Sequence, residues 1–528
     1  MTFRFARLVA GSVLATAAGA AWSVDQPAPG SLRFEINRFD IAGNTLLPAA
    51  DVDAAVAPFT GKDRDFSDVK GALVALKAVY QAHGYVLVRI DLPEQELNNG
   101  VVVLNVVQTR IGNVAIEGNK SFTDTNIRNS LPGLQEGEAP DLNKISKSLK
   151  LANENPAKKT VMKIKPGAAA DEVDASLAVT EESVWLTTLN LDNSGTEQVG
   201  RTYAGVVLQN ANMFGRDHVM TLQYTTTLEH SGDVAVYGFG YHVPLYALGD
   251  SLDFFASHSD VNAGTVTAGI LDIAVSGKGS MYGARYNQNL TTVGSYESKL
   301  VYGIDYKEVR NSMQTLGIEL GNDVTVHPLS VGYVGNWSMQ NGVANWGATL
   351  SHNVAGGAKG RQQDFDAARV GAKADYTALR FAASTTQGLP QEWLARAIVN
   401  GQYTRDALIA GEQYGAGGAS SVRGFQEREV SNDSGVTANV EIYSPPLCRN
   451  TDWQCRVLAF YDTAYLTRNR ALPGEFRSMA IRSIGVGVRL QLRNNVSLQM
   501  DYGHVLRAEA TVTQRGDGRL HARLGLSF

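Results

Sequence analysis

The sequence predicts two repeated α+β units followed by an all-β domain, a 16-stranded antiparallel transmembrane β-barrel. Three observations lead there. A Gly-Asn pair recurs 75 residues apart, at Gly43-Asn44 and Gly118-Asn119. From Trp185 onward, apolar residues recur at every second position rather than every third or fourth, the period of half-buried strands. The 528 residues hold 53 Gly and only 19% charged residues, yet no run of about 18 apolar residues that could form a spanning helix.

The N-terminus reads as an address. Arg4 and Arg7 precede an apolar run, Leu8 to Ala20, that ends in Ala18-Gly19-Ala20. This is the pattern of a secretory signal peptide over residues 1–20. A short segment, 21–33, then leads into the first unit. A net charge of −5 gives no basic field for nucleic acid. Two Cys exclude a disulfide scaffold or a multi-Cys metal site.

Each repeat opens with an alternating strand, Phe34–Ile41 and Ile111–Glu117. The Gly-Asn turn that follows suits a positive φ. In the first copy, helices are expected over Ala49–Val56 and Ser67–His83, with Leu73, Leu76 and Tyr80 on one face. Gly84 ends the second helix. Strands Tyr85–Leu92 and Val101–Thr109 close the unit. The second copy continues through Thr123–Leu131, Asp141–Asn153, Thr160–Lys165 and Asp174–Glu181. The order is β-α-α-β-β, twice.

That order, with its Gly-Asn turn, resembles the POTRA domain, at 34–109 and 110–182. Leu151-Ala-Asn-Glu-Asn-Pro-Ala157, followed by Pro166-Gly167, resembles the second POTRA of two-partner secretion transporters. The resemblance implies a periplasmic module that captures an extended client chain by adding it to a strand edge.

Residues 183–528 form the predicted barrel. In the last strand Leu520, Ala522, Leu524, Leu526 and Phe528 alternate with Arg519, His521, Arg523, Gly525 and Ser527. Ile484–Leu492 and Val496–Tyr502 alternate in the same way. A spanning barrel sets the apolar face in lipid and the polar face in a wet lumen. An even strand count returns both ends to the periplasm. The segment 410–435 then lies outside, before the fifth-last strand. Leu524, Leu526 and Phe528 resemble the C-terminal assembly signal of outer-membrane proteins.

The external segment contains Gly415-Ala-Gly-Gly-Ala-Ser-Ser-Val-Arg-Gly-Phe425. Val422-Arg423-Gly424-Phe425 resembles the V-R-G-[FY] tip of the sixth extracellular loop in the Omp85 superfamily. The resemblance implies a loop folded into the pore, its Arg paired with the Asp of an F-x-D-x-G strand. Phe460-Tyr-Asp462-Thr-Ala464 fits that pattern, with Ala464 in place of Gly. Arg presents a planar fork to a carboxylate, and a charged Asp462 belongs in a lumen rather than in hydrocarbon. Glu427, Arg428 and Glu429 are candidates to extend the network or to remain solvated. Cys448 and Cys455 are expected to form a disulfide in a periplasmic turn of this exported chain.

No phosphate-binding loop, H-E-x-x-H or G-x-S-x-G occurs, and no His pair has metal-ligand spacing. No cofactor, metal or catalytic residue is expected. The whole pattern resembles a two-partner secretion transporter of the TpsB type (the haemolysin/adhesin secretion-activation family). It implies an outer-membrane pore that exports, without ATP, a partner exoprotein bearing an N-terminal secretion domain. Outer-membrane lipid and the barrel-assembly machinery would be its other partners. The rival readings are a barrel-assembly factor of the same superfamily, a passive solute porin and a barrel enzyme.

Overall fold

The computed structural model describes residues 32–528 apart from 198, 262–264, 269–272, 277, 311–313, 316–317, 320–321 and 449–451. The expected signal peptide, and residues 21–31 of the segment after it, lie outside the described residues. The chain divides into two compact units after Gln108.

The first unit contains β1 (Phe34–Ile36), β2 (Arg38–Ala42), α1 (Ala49–Val56), β3 (Gly61–Arg64), α2 (Phe66–Ala82), β4 (Arg89–Asp91) and β5 (Val101–Val107). Its sheet runs β2-β5-β4, with β5 parallel to β2 and antiparallel to β4. Val102, Leu104 and Val106 of β5 bury one face against Val69, Ala72, Leu76 and Tyr80 of α2. Asp65 and Asp68 form a capping box that starts α2, satisfying N–H groups the first turn would leave open. The strand expected over 34–41 is two strands. Asn37 breaks it by donating its backbone N–H to Gly100 O and its side-chain amide to Asn99 O. β1 then pairs with β3, a strand the sequence pattern did not suggest.

The second unit opens with β6 (Arg110–Glu117), α3 (Asp124–Asn129), α4 (Leu142–Ala152), β7 (Lys158–Pro166) and β8 (Glu172–Glu181). The sheet order β6-β8-β7 repeats that of the first unit, with the same parallel and antiparallel pairings. The repeated glycines have one physical cause. Gly43 and Gly118 take φ of +81° and +88°. A Cβ there would stand 2.5 Å from Val106 O and 2.4 Å from Val179 O. Only glycine lets the turn lie this close to the neighbouring strand. Asn44 and Asn119 then donate to Leu47 O and Phe122 O, both at 2.9 Å.

The remainder is a closed antiparallel barrel from Trp185–Asp192 to Gly518–Ser527. Seventeen segments make 16 strands, because Val324–Val326 and Pro328–Met339 are one strand interrupted at His327, both pairing with Tyr296–Arg310. The first and last strands close the barrel over Arg523–Ser527 and Thr188–Asp192. Ile484, Val486, Tyr502 and Leu520 are exposed on the outer face, while Asp462, Asp501 and His521 are buried on the inner one. Among the described residues no helix is long and apolar enough to cross a membrane; this chain spans with strands.

The first barrel turns hold the second α+β domain. Lys158 Nζ, fully buried, lies 2.6 Å from Asp217 Oδ2 and 3.3 Å from Asn126 Oδ1. Tyr246 donates to the same Asp217 oxygen at 2.6 Å. Burial pushes the Lys158 ammonium below its usual pKa, against the pull of Asp217. Asn155 of the Asn-Glu-Asn-Pro segment donates to Ala211 O at 2.6 Å, and Asn126 to Gly215 O at 2.7 Å. Cys448 and Cys455 are joined by a disulfide, with Cα atoms 5.2 Å apart. It ties the turn after strand Ser434–Tyr443 to Cys455 in strand Trp453–Thr467, on the side of the barrel where its first strand begins and its last strand ends.

Candidate functional site in the barrel lumen

The loop between strands Leu394–Thr404 and Ser434–Tyr443 is held first at its base. Asp433 accepts from Leu408 N (2.8 Å), Asn469 N (2.7 Å) and both terminal nitrogens of Arg369, one of them at 3.0 Å. Glu412 binds Lys307 at 2.9 Å and Arg380 at 2.8 Å. A short ladder, Tyr414–Ala416 with Val430–Asn432, carries the hairpin inward. Cavities of about 770 and 300 Å³ lie against it.

At the tip the sequence motifs meet. Arg423 and Asp462 are 3% and 0% exposed. Arg423 Nε reaches Asp462 Oδ2 at 2.7 Å and Nη2 reaches Oδ1 at 2.8 Å. The Arg423 backbone N–H adds a third bond to Oδ2 at 3.1 Å. Nη1 lies 2.8 Å from Glu441 and 3.6 Å from Asp501, and the guanidinium carbon sits 3.4 Å from the centroid of the Phe460 ring. A buried charge is tolerated only when paired and hydrogen-bonded. Here one guanidinium meets carboxylates from three different strands.

Apolar packing completes the seat. Val422 and Phe425 are fully buried in a cluster with Ala416, Val430, Ala464, Leu466, Ile481 and Val505. Ala464, the departure from the motif, places its methyl in this cluster. Gly424, at φ +96°, faces Gly503, where a Cβ would be 2.5 Å from Gly424 N.

Several residues of the site carry no motif. Glu441 and Asn439 lie on Ser434–Tyr443, Asp501 on Val496–Arg507 and His521 on Gly518–Ser527. Asn439 sits directly across from Asp462 and donates to Oδ1 at 2.8 Å. Arg489 holds Asp501 through two bonds of 2.9 Å. Their only sequence signal is an inward position in the alternation. The charges after the tip are engaged elsewhere. Glu427 accepts from Ala419 N, Arg428 donates to Gln413 O, and Glu429 accepts from Thr513 N and Oγ1.

Leu524 and Leu526 pair across the closing seam with Leu191 and Leu189, and Phe528 exchanges two backbone bonds with Thr187. Among the described residues no cluster of His, Cys, Asp or Glu could hold a metal ion.

Comparison with known proteins agrees with this architecture. Residues 172–490 match the family described as haemolysin secretion/activation protein ShlB/FhaC/HecB, and residues 34–109 match the ShlB-type POTRA domain. The outer membrane transporter CdiB of Escherichia coli O6:K15:H31 is 24% identical over 417 residues, covering 76% of this chain and 67% of its own. The heme/hemopexin transporter protein HuxB of Haemophilus influenzae is 20% identical over 463 residues, covering 82% and 76%. The solved structure of CdiB from Escherichia coli superposes with a TM-score of 0.75 at 19% identity, covering 97% of this chain and 93% of that one. The chain belongs to the haemolysin secretion/activation family, the TpsB transporters of the Omp85 superfamily. It is an outer-membrane protein whose POTRA domains are periplasmic.

Proposed function

We propose that this transporter exports a partner exoprotein through its own lumen, and that the Val422–Phe425 hairpin is the gate. The observation that carries the reading is Arg423. It arrives on a loop from the external side, is buried on the inner wall, and is gripped through three hydrogen bonds to Asp462. Such a contact closes the lumen by polar bonds that can be broken and remade. The chain supplies no nucleotide-binding motif, and we assign it no catalytic step. Folding of the client outside gives the direction.

The client would arrive extended at POTRA 2. The β7 strand pairs only with β8 among the described residues. Thr160 turns its N–H and C=O away from β8, where the Asn153 side chain binds both at 2.7 and 2.9 Å. By the antiparallel alternation, Met162 and Ile164 point their backbone groups outward too. Pro166, which has no N–H, ends the edge. This short open edge is where a client strand with an N-terminal secretion domain would add.

Deleting the gene in its native host, and comparing released and surface proteins with a complemented strain, tests the reading. Loss of one large protein from outside is expected. Depletion of many barrels would instead indicate an assembly factor, and a change only in solute uptake would indicate a porin.

A further inference from the structure

The loop tip has a second polar hold on the wall, three strands along the barrel from Asp462. Gly424 donates its backbone N–H to His521 Nε2 at 3.0 Å. His521 is 4% exposed, on the last strand, facing the lumen. Because Nε2 accepts, the neutral ring carries its proton on Nδ1. Nδ1 has no hydrogen-bond partner among the described residues. A buried donor left unpaired is costly, so packing alone does not account for an imidazole here. A ring without a polar edge would avoid that cost and lose only the bond to Gly424.

The surroundings fix the ring's task. Asp501 stands directly across the strand pair from His521, but its carboxylate is held by Arg489. Arg423 lies beside it in the same cavity, with Arg489 and Arg523, and is held by Asp462 and Glu441. Among the described residues, the Gly424 N–H is therefore the one bond His521 makes to the loop. Gly503 shapes the seat, since any side chain there would displace Gly424. The tip is thus clamped from two directions. Arg423 is tied to Trp453–Thr467, and Gly424 is tied to Gly518–Ser527, the strand that closes on Trp185–Asp192.

We propose that His521 is a second latch on the gate, a positioning residue that holds Gly424 without using an ion pair. It rests on the reading that the hairpin closes the pore. With two latches on adjacent residues, the tip leaves only when both let go.

Single-channel recording of the full chain in planar lipid bilayers tests this. His521→Phe keeps an aromatic ring and removes the acceptor. His521→Gln offers an amide oxygen to the same N–H. Arg423→Ala reports on the gate itself. One neutral hydrogen bond lost from the closed state corresponds to roughly a tenfold rise in the open-to-closed ratio. That rise is expected for H521F, with H521Q close to the wild-type ratio. Heat-modifiable gel mobility checks that each barrel is folded, and His521→Leu serves if H521F does not insert. Unchanged gating in H521F or H521L, while R423A opens, would overturn the latch and leave the gate reading standing. H521Q as open as H521F would overturn it too, because packing rather than the acceptor would then matter. If R423A also gates like wild type, the gate reading itself fails and the latch with it.

Discussion

Asp462→Asn is the sharpest perturbation of the gate, because it keeps the shape of the side chain and removes only its charge. Asp462 is fully buried and receives Nε, Nη2 and the backbone N–H of Arg423. Breaking a buried ion pair costs about 3–5 kcal/mol. Glu441 remains 2.8 Å from Arg423 Nη1, so the lower end applies. About 3 kcal/mol raises the ratio of released to docked hairpin roughly a hundredfold. Single-channel open probability reads that ratio, and gel mobility confirms a folded, inserted barrel. Arg423→Ala should do the same. The Arg423→Ala/Asp462→Ala double variant should be no worse than either single one, since the two residues act as a unit. An inserted D462N channel that gates like wild type would refute the reasoning.

Three further outcomes follow from the periplasmic region. Lys158→Met leaves Asp217 buried without its cation and should destabilise the joint by about 3–5 kcal/mol. Protease sensitivity of the full chain should rise, and Lys158→Met/Asp217→Leu should recover part of it; equal resistance in K158M would count against a clamp. Gly118→Ala sets a methyl 2.4 Å from Val179 O at φ +88° and should cost more than about 1 kcal/mol, read as faster hydrogen exchange in β8. Burial raises the Glu181 carboxyl pKa, but backbone N–H groups of Lys120, Ser121 and Phe122 outweigh burial and hold it below the usual range. A depressed folded pKa gives stability that is full above the unfolded value, about 4.3, and lost as pH falls through the folded one. Protection of the amides at 120–122 should therefore drop in acid, and Glu181→Gln should show no such step.

The elements visible in the sequence are those with a local cause. Gly43 and Gly118 announce their turns because no other residue fits the backbone there. The outward Ile484, Val486 and Leu520 announce the barrel because lipid selects every second side chain. Val422–Phe425 and Phe460–Asp462 are visible because motif and partner motif occur in order. What stayed hidden depends on register. Glu441, Asp501, Asn439 and His521 look like any inward polar residue until the strands are aligned. Lys158 begins an ordinary strand and Asp217 ends a tight turn at φ +61°, and only the docked domains bring them together. The break at Asn37 is of the same kind, set by a contact with residues 99 and 100.

If the hairpin is the gate, it must leave its seat for a client to pass. Asn439 donates to the Ser421 carbonyl, so loop and wall touch there. A Ser421→Cys/Asn439→Cys variant, oxidised in cells, would tie the hairpin in place. Export of the partner should stop on oxidation and return on reduction, while wild type, with its own Cys448–Cys455 bridge, should export under both conditions. Undiminished export with the loop covalently tied would contradict the claim.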